Sequence, residues 1–347
     1  MADFNPWKSD MAVGRNDMDT VVLSSPGGEH YCEIYTHGAT VTSWKYNGLE
    51  KIFCSTKAIF NGVKAIRGGI PLVFPQFGQP DKNMAQHGFA RNSTWDVNCL
   101  YTSETSATVV FSMKESVETL ALWPFKFELN YFVTLSAENL TCELKMCNTG
   151  GISFSCQGLL HTYLSVADIN SISVHGLEGA RFVDKVTGGL CVETETRQVV
   201  PINQETDRVY SGAVIGISAP DVLVKSDDVA LMEVSKSACL EDLSDAAPSA
   251  CDPASDTPVD FSTQPTTEAL SAADAAANTT ENAASNAQAV PTDVVVWNLW
   301  AEKAAAMADM ADTEYHSFLC VEPGCVSGMV DVIPGKRLAL KQVLTPK

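Results

Sequence analysis

Two side chains in this sequence could transfer protons near neutral pH, and both lie in runs with the character of β-strands. His161 falls on the polar face of the otherwise apolar run 152–166, and imidazole is the side chain whose proton moves most readily near neutral pH. Glu322 follows the apolar run 318–321, where a buried carboxylate is costly unless it is paired. A structural histidine and a glutamate at the rim of a sheet fit the same pattern, so both roles stay open here.

Two arginines and three polar side chains could bind an anion or a sugar. Arg67 and Arg91 lie in the stretches 65–78 and 86–92, where glycine and proline among apolar residues indicate irregular, packed loops. Two guanidinium groups suit a phosphate, although two surface arginines would leave the same pattern. The side chains that could hold hydroxyl groups, or merely close turns, are Gln86, His87 and Asp207.

Strands must position these candidates, because helical periodicity is almost absent before residue 148. Short runs rich in β-branched and aromatic residues recur from residue 20, with turn residues between them. The runs 127–135 and 140–146 predict neighbouring antiparallel strands, and 152–166 predicts one long strand. The pattern therefore predicts an all-β fold, a large antiparallel β-sandwich.

We expect one β-sandwich domain over residues 20–345, preceded by a loose polar lead-in at 1–19. The segment 237–291 is dominated by small and polar residues, and no Lys or Arg occurs from 237 to 302. Such a segment cannot bury enough apolar surface to offset its ordering entropy. It predicts a flexible acidic insertion in a surface hairpin, either a docking segment for a protein partner or an inert expansion. A short Ala-rich helix near 268–288 is the alternative.

Composition excludes several classes of protein. The net charge of −19 argues against nucleic-acid binding and against docking on an anionic membrane. The sequence has no apolar run of about 18 residues, and residues 1–8 lack the pattern of a signal peptide, so we expect no secretory signal. The 11 cysteines include no Cys-x-x-Cys pair, which favours reduced thiols in the cytoplasm. No phosphate-binding glycine loop, dinucleotide fingerprint or zinc helix occurs, so we expect no cofactor and no metal.

Six motifs, in order along the chain, resemble those of the aldose 1-epimerase family in its hexose-6-phosphate branch. They lie at 67–75, 86–95, 161–163, 203–207, 296–298 with Trp300, and 321–324. The resemblance covers residues 20–236 and 291–345, and six ordered motifs are far more specific than any single one. It implies a β-sandwich of the galactose mutarotase type with a concave sugar site.

The resemblance also implies a reaction and a set of roles. Glu322, ionised, would be the general base that takes the C1 hydroxyl proton, and His161, protonated, the general acid that gives one to the ring oxygen. The substrate would be a small-molecule hexose 6-phosphate, D-glucose 6-phosphate, whose α and β anomers interconvert. The enzyme would be an isomerase without a cofactor, and we expect a monomer. The substrate-binding positions that the resemblance implies are Arg67, Gln86, His87, Arg91 and Asp207.

Three other functions stay open at this point: an epimerase of free aldoses, a sugar-phosphate-binding protein without catalysis, and a glycosidase. The presence of both candidate catalytic residues argues against a protein that only binds. A glycosidase would need a second inward-facing carboxylate near Glu322, which the sequence does not place.

Overall fold

The computed structural model describes residues 6–212, 221–243 and 287–347. In these ranges the chain forms three sheets of antiparallel neighbouring strands and two short α-helices. The predictions of an all-β fold and of an antiparallel β-sandwich are confirmed. None of the helices in the described ranges is long and apolar enough to cross a membrane.

The strands, in chain order, are β1 (Lys8–Val13), β2 (Asp19–Ser24), β3 (Tyr31–Tyr35), β4 (Thr40–Tyr46), β5 (Leu49–Glu50), β6 (Leu72–Val73), β7 (Asp96–Thr102), β8 (Ser106–Lys114), β9 (Phe127–Ser136), β10 (Leu140–Asn148), β11 (Phe154–Leu160), β12 (Tyr163–Ser165), β13 (Ile172–His175), β14 (Arg181–Asp184), β15 (Val192–Thr194), β16 (Val199–Pro201), β17 (Thr206–Tyr210), β18 (Val222–Ser226), β19 (Val229–Asp242), β20 (Gln288–Ala289), β21 (Asp293–Asn298), β22 (Phe318–Val332) and β23 (Lys336–Pro346). The helices are α1 (Val117–Leu122) and α2 (Trp300–Ala306). Single 3-10 turns lie at Arg15–Asp17, Ala90–Asn92, Ile169–Ser171 and Glu314–Ser317.

The strands form three sheets, and all three contribute side chains to the main hydrophobic core. A five-stranded sheet has the order β1-β2-β3-β4-β5, and a ten-stranded sheet the order β16-β13-β18-β19-β23-β10-β9-β8-β7 with β20 on β19. An eight-stranded sheet has the order β15-β14-β17-β21-β22-β11-β6 with β12 on β22. Along β9 buried and half-buried side chains alternate, and the inward residues, among them Leu129 and Tyr131, join the core. The eight-stranded sheet carries the candidate site.

The prediction that residues 1–19 form a loose polar lead-in is wrong for most of the described part of this segment. β1 pairs with β2 from Lys8 opposite Ser24 onward, and Trp7 is buried in the core, where its ring stacks on His30. Most side chains of β1 are exposed, so its sequence lacks the alternation that identifies a half-buried strand.

The predicted limits of the insertion at 237–291 are also wrong. β19 continues to Asp242 and pairs with β23 along its length, and Glu241 and Asp242 form ion pairs with Arg337 and Lys336. These acidic residues are therefore paired with cations on the neighbouring strand. At the C-terminal end of the predicted segment, β20 pairs with β19, with Ala289 opposite Cys239. The remainder of the predicted insertion, 244–286, and nearly all of the alternative helix lie outside the described residues.

The cysteines of the described ranges are mostly buried thiols, as expected. Nine are free, and six of these are buried. Burial raises the pKa of the Cys147 thiol to about 11, which makes such a group a poor nucleophile. Cys99 is disulfide-bonded, so the expectation of reduced thiols is wrong at that position.

Asp293, at the start of β21, is expected to hold the eight-stranded sheet together. Its buried carboxylate accepts backbone N–H groups from Gly212 (2.9 Å), Val326 (2.6 Å) and Ser327 (2.7 Å). Asp293→Ala leaves these donors without their acceptor, and a buried unsatisfied donor costs about 1–3 kcal/mol. We expect the free energy of unfolding in urea to fall by at least about 3 kcal/mol.

The matched control for this variant is Asp331→Ala, because Asp331 is exposed on the neighbouring strand β22. Among the described residues its carboxylate accepts a hydrogen bond from the Ser155 hydroxyl alone. Its cost should stay within about 1 kcal/mol. Equal stability losses in the two variants would contradict the role assigned to Asp293.

Candidate active site

His161 lies at a break between β11 and β12, so the prediction of a single strand over 152–166 is wrong at this point. Its backbone N–H donates to the Pro71 carbonyl at 3.0 Å. This bond ties the histidine to the irregular loop 65–78, which the sequence marked by its glycines and prolines. His161 is 7% exposed as a residue, and it lines the candidate cavity.

Glu322 lies within β22 rather than at the end of a strand. It is opposite Val295 of β21 and is 1% exposed. The following Pro323 and Gly324 continue the strand. A Cβ at Gly324 would come within 2.7 Å of the Gly158 carbonyl oxygen, so glycine permits the close approach of β22 to β11.

The two candidate catalytic side chains are in contact. His161 Nδ1 lies 3.3 Å from Glu322 Oε1. The imidazole stacks on the Tyr163 ring, with centroids 4.9 Å apart and planes inclined by 11°, and the rings of His87 and Trp297 meet it edge-on at 5.7 Å. This aromatic packing holds the imidazole in one orientation beside the carboxyl group.

Burial favours the neutral form of both groups. It lowers the pKa of His161 well below its usual value, and the neighbouring His87 and Arg91 lower it further. Burial raises the pKa of Glu322 well above its usual value, and Asp207 adds to this rise. The protonated His161 and ionised Glu322 expected from the sequence are therefore not the forms that the protein environment itself favours.

Both predicted arginines line the same cavity, but their surroundings differ. Arg67 Nε pairs with Asp309 Oδ1 at 3.2 Å, and its Nη1 donates to the Tyr163 hydroxyl at 3.4 Å. Arg91 Nη2 donates to the Gln86 carbonyl at 3.0 Å, whereas its buried Nε bonds none of the described residues. The charge of Arg67 is thus partly compensated by a carboxylate, whereas no carboxylate of the described ranges forms an ion pair with Arg91.

Lys185 is a third cation in the site and was missed from the sequence. It follows β14, and its backbone N–H donates to the Asp207 carbonyl at 2.8 Å. Its ammonium lies 3.9 Å from the centre of the Phe77 ring, and no carboxylate in the described ranges pairs with it. A lysine in a turn carries no sequence signal of its own, and only the pairing of β14 with β17 places it here.

His87 is held by an unusual backbone conformation beside a glycine. Its φ is +66°, its backbone N–H donates to the Gly78 carbonyl at 2.6 Å, and its Nδ1 accepts the Gly78 N–H at 3.2 Å. At Gly88 a Cβ would lie 2.0 Å from the Phe74 carbonyl oxygen, which explains the glycine. Burial and the nearby cations, Arg91 first, lower the pKa of His87 to about 3, so the ring is neutral.

One cavity of about 170 Å³ gathers all seven residues predicted from the sequence. Two wider clefts, of about 710 and 640 Å³, lie elsewhere, and no histidine is among the described residues that line them. We therefore place the chemistry in the smaller cavity. Its lining comprises Arg67, Gln86, His87, Arg91, His161, Asp207 and Glu322, together with Lys185, Phe77, Gly78, Val295, Trp297 and Met307.

Comparison with protein families and curated sequences gives consistent matches. The family model described as "Aldose 1-epimerase" matches residues 19–345. A protein of Cenchrus ciliaris named "Putative glucose-6-phosphate 1-epimerase" is 33% identical over 340 residues, covering 94% of this chain and 85% of that protein. A protein of Escherichia coli K12 with the same name is 34% identical over 198 residues, covering 56% of this chain and 64% of that protein.

Solved structures show the same fold. A crystal structure titled as a putative mutarotase from Salmonella typhimurium matches with a TM-score of 0.71 at 22% identity, covering 98% of this chain and 94% of that chain. Galactose 1-epimerase from Lactobacillus acidophilus matches with a TM-score of 0.61 at 12% identity, covering 98% and 99%. These likenesses confirm the expected galactose mutarotase type of β-sandwich.

Proposed function

The chain belongs to the aldose 1-epimerase family, and on that premise we propose that it interconverts the α and β anomers of D-glucose 6-phosphate. Membership of the family makes it an isomerase. The observation that supports the finer proposal is the convergence of a histidine–carboxyl pair and three cationic side chains on one cavity. The pair suits proton transfer at a sugar, and the cations suit a phosphate.

The proposed reaction starts with the proton that the neutral Glu322 carboxyl group carries. Sugar binding would align the two side chains, whose 3.3 Å contact lacks hydrogen-bond geometry. The proton would then pass from Glu322 to His161, leaving a carboxylate and an imidazolium. Glu322 then takes the proton of the C1 hydroxyl while His161 protonates the ring oxygen, and the C1–O5 bond breaks. Rotation about C1–C2 and the reverse transfers close the ring as the other anomer. When the sugar is in its open-chain form, both Glu322 and His161 are therefore uncharged, which is the protonation state that burial favours.

The cations would hold the phosphate, and the neutral polar groups the hydroxyls. Because Asp309 already compensates part of the charge on Arg67, Arg91 and Lys185 would contribute most of the attraction for a dianion. Gripping the phosphate also positions C1 against the catalytic pair, which is the role of remote binding groups in catalysis. Gln86, His87 and Asp207 would bind the sugar hydroxyls.

The direct test is anomer-resolved NMR with pure α anomers of D-glucose 6-phosphate and of D-glucose. We expect catalysed anomerisation of the phosphate ester at low enzyme concentration and much slower turnover of free glucose. A preference for free glucose would support the aldose 1-epimerase alternative. Binding of the ester without any acceleration would support the sugar-phosphate-binding alternative.

Lys185→Ala should raise KM for D-glucose 6-phosphate about 10-fold, because one charge-assisted hydrogen bond is worth about 1.5 kcal/mol. Turnover of free glucose should hardly change. Lys82→Ala is the control, since Lys82 is exposed on the nearby loop and does not line the cavity. Equal KM values for the wild type and Lys185→Ala would show that this lysine does not bind the phosphate.

A further inference from the structure

A buried thiol lies beside the proton-transfer pair and has no part in the proposed reaction. Cys320 is 0% exposed on β22, two residues before Glu322, so both side chains project from the same face of the strand. One potential ligand atom from each of His161, Cys320 and Glu322 lies within 4.8 Å of the other two. Within the described ranges no other group of three such side chains comes together in this way.

Two atoms of this group have no hydrogen-bond partner. His161 Nδ1 and Glu322 Oε2 are buried and make no hydrogen bond to any described residue, although Nδ1 lies 3.3 Å from Glu322 Oε1. Buried polar atoms are normally satisfied, so these two are available to a ligand. An imidazole nitrogen, a thiolate sulfur and a carboxylate oxygen are the donor types that zinc binds, whereas Mg²⁺ and Ca²⁺ prefer sets of oxygen ligands.

We propose that His161, Cys320 and Glu322 bind Zn²⁺, leaving the fourth coordination position toward the sugar cavity. Zinc–ligand bonds of about 2.0–2.3 Å require only small side-chain movements from the present separations. On binding, the Cys320 S–H and the Glu322 O–H bonds break, both protons go to solvent, and sulfur and oxygen bond the metal. The oxidation states do not change.

Bound zinc inhibits the enzyme. It occupies the lone pairs that would move the proton, so a sugar and the metal compete for the same atoms. This inhibitory consequence rests on the proposed function, whereas the binding itself does not. The metal acts as a reversible inhibitor of the isomerase and has no role as its cofactor.

Calorimetric titration of the EDTA-treated protein, residues 1–347, with ZnCl₂ tests the binding without any sugar. We expect one equivalent to bind. Cys320→Ala should weaken the zinc affinity about 10-fold or more while keeping anomerase activity near the wild-type rate. Cys325→Ala is the matched control, because Cys325 is another buried thiol of β22 that donates to the Pro291 carbonyl and lies outside the group. It should bind zinc as the wild type does.

Unchanged zinc affinity in Cys320→Ala, or in His161→Ala, would place the metal elsewhere and overturn the proposal. Cys320→Ser serves the same purpose if the alanine variant does not fold. In the activity assay zinc should raise the apparent KM for D-glucose 6-phosphate, and Cys320→Ala should reduce this effect. Complete inactivity of the metal-free wild type on that sugar would contradict the proposed function instead, and would leave the calorimetric outcome unaffected.

Discussion

Glu322→Gln should lower kcat for the anomerisation of D-glucose 6-phosphate by about 10²–10⁴-fold, the usual worth of one general acid–base group. Glutamine keeps the size and the hydrogen-bonding ability of the side chain but cannot accept the C1 hydroxyl proton. Because the site favours an uncharged group at this position, the fold should tolerate the change. Anomerisation rates from anomer-resolved NMR or polarimetry measure the loss of activity, and thermal unfolding measures the stability of the variant.

His161→Ala should cause a loss of the same order, and combining it with Glu322→Gln should cost little more. The two groups lie 3.3 Å apart and would act as one proton-transfer unit in the proposed reaction, and the effects of residues that act as a unit are not additive. Asp331→Asn, an exposed change on β22, is the control and should keep wild-type activity. Near wild-type turnover in either single variant would refute the assigned roles.

Arg91→Ala should lower kcat/KM for D-glucose 6-phosphate by about 10–200-fold, since a hydrogen bond to a charged group is worth about 1.5–3 kcal/mol. The effect should exceed that of Lys185→Ala, because Arg91 can present two N–H donors to a phosphate while lysine acts as a point charge. Activity on free glucose should change much less. The ratio of the two specificity constants is the quantity to measure.

Arg15→Ala is the matched control for this variant. Arg15 is exposed beside the Phe60 ring, in a different cleft, so its removal should leave both specificity constants unchanged. Equal losses on the ester and on free glucose in Arg91→Ala would mean that the arginine shapes the cavity without binding the phosphate.

The features that could be predicted depend on residue types that lie close together in the sequence. The alternation of β9 and β10 depends only on side chains two residues apart, so their pairing could be read from the sequence. The ordered motifs identified seven residues that line one cavity. Each motif is a loop or strand segment whose residue types indicate the local backbone conformation. Gly88, next to His87, is an example, because its position leaves no room for a Cβ.

Other features depend on partners far away in the chain. β1 is a strand because β2 pairs with it and Trp7 reaches the core, although its own side chains are mostly exposed. Lys185 enters the site through the pairing of β14 with β17. Glu241 and Asp242 resemble an acidic insertion until Arg337 and Lys336 are placed beside them.

By itself the sequence determined the fold class, the family resemblance and the identity of the seven polar residues, because composition, periodicity and motif order are properties of the chain. Only the tertiary structure decided how they act together. It brought His161 into contact with Glu322 and placed Cys320 next to both. It also removed this pair from water, which shifted its protons toward the neutral forms. Distances and burial arise from strands that meet across more than a hundred residues of chain, so no local pattern could report them.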